Sequence, residues 1–337
     1  MYENPFEQLS GTITTKKIVE AGFHEKQFHT GKVNLNYVVG PNNGPAMVLI
    51  PAQTGIWESY QKVMVPLSKK FQVYVVEIRG HGKSSWTPGD YSWKSIGDDM
   101  EAFLKNAVKR SALLAGNSSG GIIALWCAAN LPDLVTGIVL EDAPVFSAEM
   151  PRFKNYDRFV YNGLQHLVDN IGDPFNRDLA NYFRGLEMPV SETRTKKVPD
   201  FFIRYLSKKI KKFEREYPGM PVEVGYPNTL RLLLKSLSMF DPDFSRAFVD
   251  GRIYEGMDHA ESLRRVKCPV LVLHADWRRY PHYGLVGAMD EDDAKRILEL
   301  VPSAVYKKIS ANHVIHAFEP KKFIGAIEEF IETEQLF

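Results

Sequence analysis

Cysteine is scarce in this chain of 337 residues, which has only Cys127 and Cys268. Both sit in apolar runs, one helix-like and one strand-like, so buried thiols in a reducing compartment are expected rather than a disulfide scaffold. An excess of one charge is also lacking. The 42 basic and 41 acidic residues leave a formal charge of +1, which argues against a general nucleic-acid or membrane-surface role. No apolar run approaches the ~20 residues that a bilayer span requires. The first residues, MYENPFEQLS, lack the basic-then-apolar pattern of a secretory signal. A cytoplasmic protein acting on a small molecule is therefore expected, with neither membrane nor nucleic acid as partner. Internal repeats and low-complexity segments are absent, as are glycine-rich phosphate loops and clusters with metal-ligand spacing. The acidic run Asp290–Asp293 reads as a helix start, with Asp290 as N-cap, and no metal or cofactor is expected.

What is present is an ordinary globular composition, 44% apolar and 25% charged, with a regular rhythm along the chain. Residues 24–40 read as a hairpin turning at Thr30-Gly31. Apolar runs then alternate with helical patterns: Met47–Ile50 before a helix near 57–69, Val73–Val76 before one near 93–108, Ala112–Ala115 before one near 120–130, then Ile138–Leu140. Buried strands rich in β-branched residues and separated by helices imply a mostly parallel, doubly wound sheet of about eight strands, an α/β fold. The rhythm stops near Pro144 and resumes at Pro269–Leu273. A helix near 290–300, a last strand at Val305–Ile309 and a last helix at 320–334 follow. Residues 1–147 and 261–337 thus read as one core domain. Residues 148–260, with their prolines and clustered aromatics, read as an inserted helical cap over the carboxyl edge of the sheet. The basic run Lys208–Lys212 reads as a solvated helix face.

The most informative stretch runs from Ser111 to Trp126. A short apolar run reaches Gly116-Asn117-Ser118-Ser119-Gly120-Gly121, and an apolar helix-like run follows. That order suits a nucleophile elbow, in which a strand turns sharply into a helix and presents a serine at the tip. Glycines at 116 and 120 let strand and helix approach closely around a strained residue. A serine hydroxyl is a weak nucleophile alone, so Ser118 calls for a base and an acid elsewhere. His313, in the loop after the last strand, stands where the base belongs, while His316 is expected to pack or hydrogen-bond within that loop. An oxyanion hole needs two backbone N–H groups. Ser119 supplies one, and Gln53, in the Pro51–Gly55 turn after the third strand, is placed as the other.

With Arg79-Gly80-His81-Gly82-Lys83-Ser84 after the fourth strand and Glu319-Pro320 after His313, the chain resembles the α/β-hydrolase fold superfamily, in its branch with a helical cap. The Arg79–Ser84 turn resembles one that braces the elbow. Two departures from the family pattern stand out. Pro51-Ala52 replaces a frequent His-Gly after the third strand. Arg278 occupies the position after the seventh strand where the triad acid is usual, and an arginine can neither accept the imidazole N–H nor stabilise an imidazolium. A minority of the superfamily takes its acid from the end of the sixth strand, here Glu141-Asp142. Asp142 matches that position, as in the zearalenone-lactone hydrolases, whose elbow is also similar. Asp276 and Glu141 remain alternatives. Because side chains alternate along a strand, Glu141 and Asp142 cannot both face His313.

The resemblance implies a metal-free serine hydrolase with Ser118, His313 and Asp142 as triad, cleaving a carboxylic ester or lactone of a small, mostly apolar substrate. Thioesterase, carbon–carbon hydrolase and aminopeptidase chemistry fit the same residues, as does a ligand receptor on this fold.

Overall fold

The computed structural model describes residues 2–9, 13, 15–192 and 194–337. Strands β1 (His24–His29), β2 (Asn34–Val39), β3 (Ala46–Ile50), β4 (Gln72–Val76), β5 (Ala112–Asn117) and β6 (Val135–Glu141) precede the inserted segment. That segment carries the short strands β7 (Glu187–Pro189) and β8 (Thr195–Lys197). β9 (Val270–His274), β10 (Arg278–Tyr280), β11 (Gly284–Val286) and β12 (Val305–Lys308) follow it. Eight of them form one sheet in the order β1-β2-β4-β3-β5-β6-β9-β12. Within that sheet the β1–β2 and β2–β4 pairings are antiparallel and the others parallel.

Alternation along the parallel strands explains why both faces are covered. Met47, Leu49, Leu113, Ala115, Val139 and Leu271 fall into one buried cluster. Their neighbours Val48, Leu114, Ile138, Leu140 and Val272 fall into another on the opposite face. Helices Gln61–Leu67 and Pro320–Thr333 supply the first face, and Trp93–Phe103, Ser119–Asn130 and Glu291–Leu300 the second. Asp290 caps the last of these, with Asp293 completing a capping box.

Between β6 and β9 the chain is mainly helical. It contains helices Arg158–Ile171, Asp200–Glu216, Asn228–Ser238 and Pro242–Asp250, and between the first two lies the β7–β8 ribbon, which hydrophobic patterning did not indicate. The amphipathic helices bury Leu167, Ile203, Leu206, Leu237, Phe244 and Phe248 in the same cluster as one sheet face. The clustered aromatics divide: Phe240, Phe244 and Phe248 are buried, whereas Phe201, Tyr205 and Tyr217 are exposed. Cys127 is buried as expected, but Cys268 is only partly so. Burial raises both thiols, Cys268 to about 11, so neither is a ready nucleophile.

Two features hold the strand ends in place. Arg79 forks onto both oxygens of Asp99, at 2.6 and 2.9 Å, and reaches Asp90 at 2.7 Å. The turn it opens bonds to β2 through Ser84 and to the inserted segment through Gly80 and Asp241. At the elbow, a Cβ on Gly116 would lie 2.0 Å from the Gly120 carbonyl oxygen, and one on Gly120 would lie 2.2 Å from that of Ile50. Both obstacles are backbone and cannot rotate away. Gly120→Ala is therefore expected to destabilise the fold by about 3 kcal/mol, the upper end for overpacking. Its thermal unfolding midpoint, compared with that of the unsubstituted protein, checks this; an unchanged midpoint would contradict the close approach.

Candidate active site

The site grows from the carboxyl ends of β3, β5, β6 and β9. Ser118 leaves β5 with φ 54° and ψ −121°, a conformation rarely adopted by a residue with a side chain. Its N–H donates to the Glu141 carbonyl at 2.9 Å, so the elbow is anchored to the end of β6. Ser119 is the first residue of the following helix, where an N–H has no intrahelical acceptor. Gln53 lies in the turn after β3, and its side-chain amide donates to Ser245 Oγ at 2.6 Å, tying that turn to the inserted segment. Ser118, Ser119, Gln53 and His313 all line one cavity of about 580 Å³.

Strand alternation sorts the two neighbouring acids. Asp142 Oδ2 lies 2.6 Å from His313 Nδ1, and its Oδ1 accepts the Ala275 N–H at 3.1 Å. Asp142 holds φ 42°, a left-handed turn at the strand end that delivers its carboxylate to the ring. Glu141 faces the other way. It is fully buried and receives the His316 N–H at 2.8 Å and the His316 ring Nδ1 at 2.8 Å. Tyr60 stacks on that ring, with centroids 3.8 Å apart. His316 therefore does not merely pack within its own loop, as the sequence suggested. Together with Glu141 it forms a second acid–imidazole pair that pins the His313 loop to β6. Asp276 is exposed and accepts a hydrogen bond from Ser310 Oγ at 3.0 Å. The structure thus brings Asp142 to His313, and neither Glu141 nor Asp276.

Asn117, the variable residue of the G-x-S-x-G pattern, escaped the sequence reading. Its side-chain amide donates to the His313 carbonyl at 3.0 Å and to the Glu141 carbonyl at 3.2 Å. A buried amide at a strand end next to a candidate nucleophile was the available signal, because such a group must find partners. The cavity walls were not foreseen either: Phe153, Phe159, Leu164 and Phe248 come from the inserted segment, and Trp277 and Val286 from around the β10–β11 hairpin.

The electrostatics suit a base at His313. Its side chain keeps 37% exposure and so opens to the cavity, whereas Asp142 is sealed at 2%. Crowding by protein lowers the proton affinity of the ring. The hydrogen bond and charge of Asp142, with Glu141 behind them, outweigh this, and His313 sits above its usual 6.5. Among the described residues Ser118 and His313 make no direct hydrogen bond. Such bonds between catalytic groups commonly tighten only around a substrate. No cluster of His, Cys, Asp and Glu suited to a metal ion occurs among the described residues, nor does a helix long and apolar enough to cross a membrane.

Comparison with known proteins points the same way as the topology. The family model for the alpha/beta hydrolase fold matches residues 45–276. A 2-(acetamidomethylene)succinate hydrolase of Mesorhizobium japonicum is 29% identical over 120 residues, covering 36% of this chain and 43% of the relative. A pimeloyl-[acyl-carrier protein] methyl ester esterase of Yersinia pseudotuberculosis is 30% identical over 132 residues, covering 38% and 46%. The matched stretches span less than half of those relatives. A solved structure of E-2-(acetamidomethylene)succinate hydrolase superposes with a TM-score of 0.63 at 18% identity, covering 92% of this chain and 99% of that one, a likeness of fold. The family match takes in most of the chain, from β3 through the elbow to the end of β9, and the protein belongs to the α/β-hydrolase fold family.

Proposed function

We propose that the protein is a serine hydrolase that cleaves a carboxylic ester or lactone through an acyl-enzyme. The observation that carries this reading is the 2.6 Å contact between His313 and Asp142 on the wall of the cavity that Ser118 enters from its strained turn. In this scheme His313 Nε2 takes the proton of Ser118 as Oγ attacks the ester carbonyl carbon. The N–H groups of Ser119 and Gln53 hold the resulting oxyanion. The carbon–oxygen bond to the alcohol then breaks and His313 returns the proton to the departing oxygen. Water attacks the acyl group with His313 again as base, which releases the acid and restores Ser118. Asp142 keeps the Nδ1 proton in place and stabilises the imidazolium. The apolar walls favour a substrate with hydrocarbon surface, and a methyl ester esterase among the relatives supports ester chemistry.

A fluorophosphonate probe should label Ser118, identified by peptide mass, and a panel of short-chain esters and lactones should be turned over. Ligand binding without either result would favour a receptor instead. The rate should also depend on pH in a defined direction. Only neutral His313 can accept the serine proton, and its proton affinity is raised. The kcat/KM profile is therefore expected to fall as pH drops through a midpoint above 6.5. A midpoint below 6.5 would contradict the coupling to Asp142.

A further inference from the structure

The chemistry of the cavity is not exhausted by its triad. After β9 the chain makes the β10–β11 hairpin, with Arg278 opposite Val286 and Tyr280 opposite Gly284. Period-2 alternation places Arg278 and Tyr280 on one face of β10 and Arg279 on the other. Arg279 is neutralised there: its guanidinium meets Asp157 at 2.6 Å and Asp290 at 2.5 Å. Among the described residues Arg278 has no such partner; it is also the only Lys or Arg lining the cavity, and no carboxylate lies within 4 Å of it. Its nearest polar contact is the hydroxyl of buried Tyr280, at 3.5 Å.

Neither of the two carboxylates on the cavity wall contacts Arg278, although the charge of Asp276 acts on it from a distance. Asp157 is committed to Arg152, Arg279 and the Leu285 N–H. Asp276 is exposed and held by Ser310. Trp277 precedes Arg278 in sequence and Val286 lies opposite it across the hairpin, and both line the cavity. An unpaired guanidinium presents a fork of donors matched to a carboxylate.

We infer that Arg278 is an anion subsite, so that the preferred substrate is an ester bearing a carboxylate at the end remote from the bond cleaved. This rests on the reading of the cavity as an ester-hydrolase site and names its substrate class. Tyr280 can add a hydroxyl donor to the same carboxylate. Because Arg278 is exposed to solvent, the gain is modest, about threefold in kcat/KM.

Two matched pairs of substrates test it. p-Nitrophenyl hexanoate and the p-nitrophenyl monoester of hexanedioic acid place the carboxylate on the acyl half. Pentyl acetate and 5-acetoxypentanoate place it on the alcohol half. Within one pair the carboxylated ester should be favoured about threefold; Arg278→Met should bring that ratio to one or below, and Arg278→Lys should keep part of it. A ratio near one in both pairs, or a preference that survives Arg278→Met, overturns the subsite. If no ester in either pair is cleaved, the hydrolase reading falls and calorimetry decides the subsite by itself. Binding of 6-(methylamino)-6-oxohexanoate is then compared with that of N-methylhexanamide. Tighter binding of the anion that Arg278→Met abolishes supports the subsite, and equal binding overturns it.

Discussion

Replacing Ser118 by alanine is expected to lower ester turnover by about 10⁵- to 10⁶-fold, the scale on which nucleophile removal acts in serine hydrolases. The substitution deletes one oxygen at the tip of the elbow and leaves the glycine contacts and the backbone N–H of Ser119 intact. The fold should survive, and relief of the side-chain strain at φ 54° is not expected, because alanine keeps its Cβ. What is lost is the covalent route; oriented water and the oxyanion donors supply the remainder. The measurement is kcat on an activated ester, alongside a thermal melt to establish that the variant is folded. Residual activity within a hundredfold of the parent would remove Ser118 from the nucleophile role.

Asp142→Asn is expected to cost about 10⁴-fold in kcat, the effect of presenting the wrong group to a triad histidine. The geometry makes the reasoning specific. Oδ1 of Asp142 accepts the Ala275 N–H while Oδ2 faces His313. An asparagine in the same place keeps its oxygen on Ala275 and turns its NH₂ toward the ring. His313 Nδ1 must then accept, the ring proton moves to Nε2, and Nε2 no longer takes the serine proton. The acid limb of the pH profile should also move to lower pH, because the contribution that raises His313 is removed. Asp276→Asn supplies the contrast, since its carboxylate bonds to Ser310 and not to the imidazole. A collapse in Asp276→Asn with near-normal activity in Asp142→Asn would transfer the acid to the β9 end.

The sheet was legible because its strands announce themselves in one dimension. Runs such as Met47–Ile50 and Ala112–Ala115 are apolar on both faces, and each lies a helix-length from the next. The β10–β11 hairpin was not legible. Its strands are three residues each, too short for a period to emerge, and from the sequence Arg278 stood out only as a departure at the usual acid position. The β7–β8 ribbon failed to show for the same reason. His316 was misjudged as a group satisfied within its loop, because nothing near it in sequence signals that Glu141 lies beneath it.

By itself the sequence determined the α/β rhythm, the glycine spacing that permits a strained Ser118, and the rule that Glu141 and Asp142 point to opposite sides. These are local consequences of sterics and alternation, and neighbours along the chain suffice for them. Which of the two acids meets His313 was decided only by tertiary structure. That outcome depends on the pairing of β6 with β9, on the left-handed turn at Asp142 and on the loop pinned by Glu141 and Asn117. The same holds for the cavity, whose apolar walls and Arg278 come from segments far apart in the chain. Packing brings them together, and no short-range pattern encodes that meeting.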